Sequence, residues 1–260
     1  MPGLRFASLG SGSRGNAMVI EARGTRVLLD CGFGPRELTS RLLRLGLAPD
    51  DFAAILVTHE HSDHSAGVFK CARRHELGIF LTHGTQLATL NDQSQALPLH
   101  LIDSHQPFTI GELEIHPFPV PHDAREPVQY VFSDGVHRLG VLTDTGCITP
   151  HIVNMLNGCD ALVLECNHDI EMLDHSAYHR SLKQRIRGRL GHLDNQASAT
   201  LLAALDHSRL QHVLAAHLSE QNNTPQLARA ALAKALGCST DWIGVASQDH
   251  GFDWRELITR

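Results

Sequence analysis

Ala53-Ala54-Ile55-Leu56-Val57-Thr58-His59-Glu60-His61-Ser62-Asp63-His64 is the stretch on which the fold turns. Its first five residues are apolar and read as a buried strand. Three imidazoles and the Asp63 carboxylate then fall within six residues. His59 and His61 are two apart, so in an extended loop they point the same way and can clamp one divalent ion. Asp63 and His64 are adjacent and can turn onto a second ion as a helix begins. The plain alternative is a polar loop over a helix N-terminus, capped by Ser62 or Asp63. A cap needs one such residue and leaves three histidines without a role, so metal binding is the better reading. The pattern is not the helical His-Glu-x-x-His of zinc proteases, because the second histidine comes two residues on and not four.

Strand and helix signals alternate on either side. Residues 4–9, 17–22 and 25–31 are short apolar or alternating runs between Gly-rich turns and read as strands. Residues 36–45 read as a helix, with Gly46 at its C-terminus and Pro49 beyond. A helix over 64–77 ends at Gly78, and a strand over 79–82 follows. Residues 99–102, 113–117, 128–133 and 138–143 have β character, with Asp134-Gly135 marking a hairpin. Next come a helix over 150–156, a strand over 161–165, a helical region over 178–207 and a strand over 211–216. A helix over 225–236 and a last strand over 242–246 complete the chain. No linker, low-complexity tract or solenoid repeat interrupts it. Each half runs through strands, a motif at a strand end, then helices. That predicts one α/β domain over residues 1–260, a four-layer αββα sandwich of two mixed β-sheets packed face to face with helices outside.

Composition narrows the function. With 260 residues, 42% of them hydrophobic and 19% charged, the chain can bury a core without staples. The six cysteines are scattered, with no C-x-x-C pair, and read as reduced, buried small hydrophobes. The first residues show no basic segment leading into an apolar one, and no apolar run approaches the roughly 20 residues of a membrane span. The expected location is the cytoplasm, with no membrane partner. A net charge of −6 excludes a surface coated in positive potential. It does not exclude nucleic acid, because two divalent ions would add about four positive charges where a phosphate sits.

Gly10-Ser11-Gly12-Ser13-Arg14-Gly15 matches the dinucleotide fingerprint but leads into another strand at 17–22. Without a following helix N-terminus there is nothing to hold a pyrophosphate, so it reads as a tight turn. Nineteen histidines make placement the test for the rest. His122, Asp144 and His217 each stand where a strand ends, and together they can complete a pair of metal sites.

The order H-x-H-x-D-H, His122, Asp144, His217 resembles the metallo-β-lactamase superfamily. The details are similar to its YycJ/WalJ-like branch: Leu9–Asn16 in number range 9–16, Thr58 to His64, Val120-Pro121-His122-Asp123, Leu142-Thr143-Asp144-Thr145-Gly146, Glu165-Cys166-Asn167-His168-Asp169, Gly191-His192-Leu193 and His217-Leu218-Ser219-Glu220-Gln221-Asn222-Asn223. The chain departs from the branch at Asp194 and Cys166, where serine is usual. The resemblance implies His59, His61 and His122 on one ion, Asp63, His64 and His217 on the other, and Asp144 bridging, with zinc or manganese as the metal. It also implies a phosphodiesterase that uses a metal-bridging hydroxide, and a 5′-to-3′ exonuclease acting on DNA in repair. Asp63 would orient the nucleophile. His192 resembles the superfamily's non-ligand catalytic histidine and would protonate the leaving oxygen; His168 either helps that step or supports the site from behind. The basic run Arg180, Lys183, Arg185, Arg187 and Arg189 is either a solvated helical face or a grip for a phosphate backbone. The alternative function is a cytosolic hydrolase of a small phosphodiester, thioester or lactone.

Overall fold

Strands β1 (Leu4–Gly10), β2 (Ala17–Ala22) and β3 (Thr25–Leu29) open the computed structural model, which describes residues 3–89 and 97–259. Next come α1 (Pro35–Leu43), β4 (Ala54–Leu56), α2 (Ser62–Ser65), α3 (Val68–His75), β5 (Gly78–Thr82), α4 (His83–Thr89) and β6 (Leu99–Ile102). The chain continues through β7 (Phe108–Ile110), β8 (Leu113–Pro119), β9 (Val128–Ser133), β10 (Arg138–Leu142), α5 (Pro150–Leu156) and β11 (Ala161–Glu165). Helices α6 (Ile170–His175), α7 (Arg180–Ile186) and α8 (Asn195–Ala204) precede β12 (His212–Ala216), α9 (Pro225–Leu236), β13 (Gly244–Val245) and β14 (Phe252–Glu256).

The strands form two seven-stranded sheets, ordered β14-β1-β2-β3-β4-β5-β6 and β13-β12-β11-β10-β9-β8-β7. Both are mixed: β1 to β3 and β7 to β10 pair antiparallel, while β3 to β6 and β10 to β13 pair parallel. Side-chain alternation explains the layers. In β11, Ala161 and Val163 enter the core between the sheets, whereas Leu162 and Leu164 face outward against Ile152 of α5, Leu201 of α8 and Leu232 of α9. In β4, Leu56 points inward and Ile55 outward, toward Leu38 and Leu42 of α1 and Val68 of α3. Strands covered on both faces read as continuous apolar runs, which is why β4 and β11 stand out in the sequence. The αββα sandwich is therefore the fold.

Several boundaries differ from expectation. The helix expected over 64–77 is two, broken at Gly67, whose N–H donates to Cys31 O at 2.7 Å. A Cβ there would overlap Phe33 O, so the chain pinches against the loop after β3. The region 178–207 is split into α7 and α8 by a loop containing Gly188 and Gly191. Of residues 242–246 only Gly244–Val245 is strand. Helices α4 and α6 and strands β7 and β14 were not expected, and β14 returns from the second half to pair with β1. All six cysteines are free thiols, four of them buried and Cys147 and Cys238 partly exposed. Among the described residues no helix is long and apolar enough to cross a membrane.

Candidate metal centre

The cluster lies where β4, β8, β10 and β12 end, so the loops that follow meet over one edge of the sandwich. The β1–β2 turn and the loops after β3 and β4 interlock beneath it. Asn16 N donates to Asp63 O (2.7 Å), Cys31 N to His64 O (2.8 Å) and Gly32 N to Asn16 O (3.0 Å). A side chain at Gly32 would overlap Asp63 O, so only glycine permits this approach. Asp30, Asp144 and His217 adopt left-handed backbone, with φ of 59°, 52° and 54°. Non-glycine residues are rare there, and such strain gathers at functional sites.

Hydrogen bonds fix which nitrogen His59, His64 and His122 turn inward. Asp30 accepts from Thr58 N (2.8 Å) and Thr58 Oγ1 (2.9 Å), and from His64 Nδ1 (2.7 Å). Thr58 Oγ1 in turn accepts from His59 Nδ1 at 2.9 Å, and Gly191 O accepts from His122 Nδ1 at 3.2 Å. Each bond leaves Nε2 with its lone pair free for an ion.

The donor spacing fits metal. Two donors on one tetrahedral ion, with bonds of about 2.0–2.1 Å, lie about 3.3 Å apart. His61 Nδ1 and His122 Nε2 are 3.2 Å apart. Asp63 Oδ2 is 3.4 Å from both His64 Nε2 and His217 Nε2, and Asp144 Oδ2 is 3.1 Å from His64 Nε2. His59, His61 and His122 form one convergent set, and Asp63, His64 and His217 another. Asp144 groups with His59 from the first and His64 from the second, the place of a bridge. His59 Nε2 and Asp144 Oδ2 are buried without a hydrogen-bond partner among the described residues, and unmet polar atoms of this kind cost about 1–3 kcal/mol. An ion in each set would satisfy both.

Electrostatics agree. Burial, with the neighbouring imidazoles, holds His59 well below the usual histidine pKa, and burial lowers His122 as well. Both are therefore neutral, as a ligand must be. Burial opposes the imidazolium of His217, but Asp144, Asp63 and Glu165 outweigh it and push its pKa up to about 10. His64 is raised in the same way by Asp144, Asp30 and Asp63. Those carboxylates make a site that attracts positive charge.

His192 belongs to neither of the two ligand sets but converges with Asp144, Glu165 and His217 beside them. Its Nδ1 donates to Glu165 Oε1 at 2.8 Å, which leaves Nε2 as its free nitrogen. Burial works against the imidazolium, yet Glu165 raises the His192 pKa, while His192 and His217 together bring buried Glu165 down to about 2. Glu165 also accepts from Thr145 N and Leu193 N. His168 is buried away from the ligand sets, and its Nδ1 has no partner among the described residues. Asp194 caps α8, accepting from Gln196 N and Ala197 N at 2.8 Å each, so its charge faces a helix N-terminus.

The basic run is mostly engaged inside the protein. Arg185 pairs with Asp123 at 2.6 Å, Arg187 with Asp174, and Lys183 Nζ donates to Asp174 O and Ser176 O. Arg180 and Arg189 are exposed and have no ion pair or hydrogen bond among the described residues.

Sequence reasoning missed Asp30, Glu165, Ser11 and Asn16. Ser11 Oγ accepts from His217 N at 2.9 Å, and Asn16 Nδ2 donates to Asp63 Oδ2 at 3.2 Å, so the Gly-rich turn braces the cluster and holds no nucleotide helix. Asp30 and Glu165 carried the signal that selected Asp144, an acid closing an apolar strand.

The family pattern described as Beta-lactamase superfamily domain matches residues 25–217. The chain is 33% identical over 250 residues to Exodeoxyribonuclease WalJ of Streptococcus pneumoniae serotype 2, covering 94% of this chain and 92% of that one. It is 33% identical over 262 residues to Exodeoxyribonuclease YycJ of Bacillus anthracis, covering 96% of each. Among solved structures, Zn2+-bound PqqB from Methylobacterium extorquens shares the fold, with a TM-score of 0.74 at 17% identity over 97% of this chain and 100% of that one. The chain belongs to the metallo-β-lactamase superfamily, in its YycJ/WalJ-like branch.

Proposed function

We propose that the protein is a metal-dependent exonuclease that hydrolyses DNA phosphodiesters. The observation that carries this is the pair of ligand sets, with Asp144 grouped with His59 of one and His64 of the other, and the His192–Glu165 pair at their edge. His59, His61 and His122 would hold one divalent ion, zinc or manganese, and Asp63, His64 and His217 a second. Such ions lower the pKa of water and neutralise charge growing on phosphoryl oxygens. Asp63 and Asp144 orient the water that attacks phosphorus. As its oxygen joins phosphorus, the bond to the leaving oxygen breaks. His192 delivers a proton from Nε2 to that oxygen, and Glu165 holds the imidazolium in place through Nδ1. The WalJ and YycJ relatives, both named exodeoxyribonucleases, support DNA as the substrate. A 5′-to-3′ direction, a part in DNA repair and a cytoplasmic setting complete the proposal, and end-labelled duplexes read the direction. His168 is assigned a supporting place behind His192, because it reaches neither ligand set.

His192→Ala should lower hydrolysis of 5′-phosphorylated duplex DNA by about 10²–10⁴-fold. Bound metal, measured by elemental analysis, should stay at the wild-type amount. Unchanged turnover would remove His192 from the acid role.

A further inference from the structure

Helix α7 is amphipathic, yet none of its seven residues is buried. Leu182 and Ile186 are four residues apart and share one face of the helix, and Tyr178 stands in the loop just before its first turn. All three line a cavity of about 180 Å³ that reaches His192. The opposite wall is polar and built from other parts of the fold: Ser13 from the β1–β2 turn, Asn167 after β11 and Ser219 after β12. Asn167 is 4% exposed, and its Nδ2 donates to His217 O at 3.1 Å. No hydrogen bond to its Oδ1 occurs among the described residues, so the amide oxygen is free to accept from a ligand in the cavity. The apolar stripe of α7 therefore faces this space in place of the core.

We propose that the cavity is the subsite for the terminal nucleoside of the DNA strand, its base laid against Tyr178 and Leu182 and its polar edge facing Ser13, Asn167 and Ser219. The proposal rests on the nuclease reading. A free phosphate does not suit this space: it would meet an apolar wall and the Asp123 carboxylate, and the Arg185 there is already paired with Asp123. A nucleobase suits both walls, because its face stacks on an aromatic ring while its edge makes hydrogen bonds. The volume is that of about six waters, the scale of one base and not of a continuing strand. Because His192 protonates the leaving oxygen, a nucleoside beside His192 is the one that departs. One nucleoside would then leave per cut, through its 3′ oxygen.

The test uses the metal-loaded protein and thymidine 3′-monophosphate, whose phosphate sits at the ligand cluster while its nucleoside enters the cavity. By titration calorimetry it should bind about ten-fold tighter than inorganic phosphate. Thymidine 5′-monophosphate should show a smaller margin. Tyr178→Ala shortens the apolar wall and Leu182→Trp fills the cavity; Leu182 lies on a helix with no buried residue, and Tyr178 lies half-buried in the loop just before it. Each variant should erase the ten-fold margin while binding inorganic phosphate as the wild type does. A margin that survives in both variants, or a wild type that binds the two ligands equally, would overturn the subsite. DNA hydrolysis by the wild type is measured alongside. Hydrolysis with no margin discards the subsite and keeps the nuclease; a margin without hydrolysis of any DNA discards the nuclease and, with it, the departing nucleoside.

Discussion

Asp30 belongs to none of the convergent ligand groups, yet it orients a residue that does. Its Oδ2 accepts from His64 Nδ1, so Nε2, which faces Asp63 and Asp144, is the nitrogen left to offer a lone pair to an ion. Asp30→Asn keeps the shape and tolerates the left-handed backbone. It offers an amide donor where His64 needs an acceptor, which drives the proton to Nε2. Metal affinity, followed by equilibrium dialysis, should fall about 10–100-fold; wild-type affinity would show that this bond does not set the tautomer. The convergent groups of candidate ligands were legible in the sequence because four of their residues crowd into 59–64. Asp30 and Glu165 were not. Each is one of 28 acids, and its worth depends on which distant histidine its strand delivers it to.

Elements were read best where one local rule governs them. The Asp134-Gly135 hairpin joins β9 and β10 as expected, with Gly135 at φ 85°. Burial raises the Asp134 pKa, but the backbone N–H groups of His137 and Val136, with the His137 ring, bring it below the usual carboxylate range. A depressed folded pKa means stability that is present above the unfolded value near 3.9 and is lost as pH falls through the folded one. Asp134→Asn should therefore cost about 1 kcal/mol in urea unfolding at pH 7, and the difference should shrink at pH 3. A constant difference across that range would mean the carboxylate charge contributes nothing. Helices α7 and α8 were merged in the sequence reading because helical periodicity runs through 178–207, and the break depends on contacts made far along the chain. Asp123 N donates to Leu190 O, and Gly146 packs closely against Arg189 and Gly191. Strand β14, Phe-Asp-Trp-Arg-Glu, has three charges in five residues and becomes a strand only because β1 offers it an edge.

On the scale of the molecule, each ligand set draws on both sheets. His59, His61, Asp63 and His64 follow β4 in the first, whereas His122, Asp144 and His217 follow β8, β10 and β12 in the second. Ions bound there would rivet the sandwich along one edge. Chelation should accordingly lower the melting temperature by roughly 10 °C, and adding zinc or manganese should restore it. A melting temperature indifferent to chelation would show that the sheets hold together without the rivet. The layered architecture was legible because apolar runs and their periods are local; the pairing that closes the first sheet was not, because it joins Arg5 to Glu256. That closure has a consequence for the protein's birth. During synthesis at about 5–20 residues per second, β1 emerges early and waits tens of seconds for its partner. Through that interval the nascent chain carries an open strand edge, the kind of surface on which unrelated chains pair and aggregate. A holding chaperone that covers this edge until β14 is made would guard it.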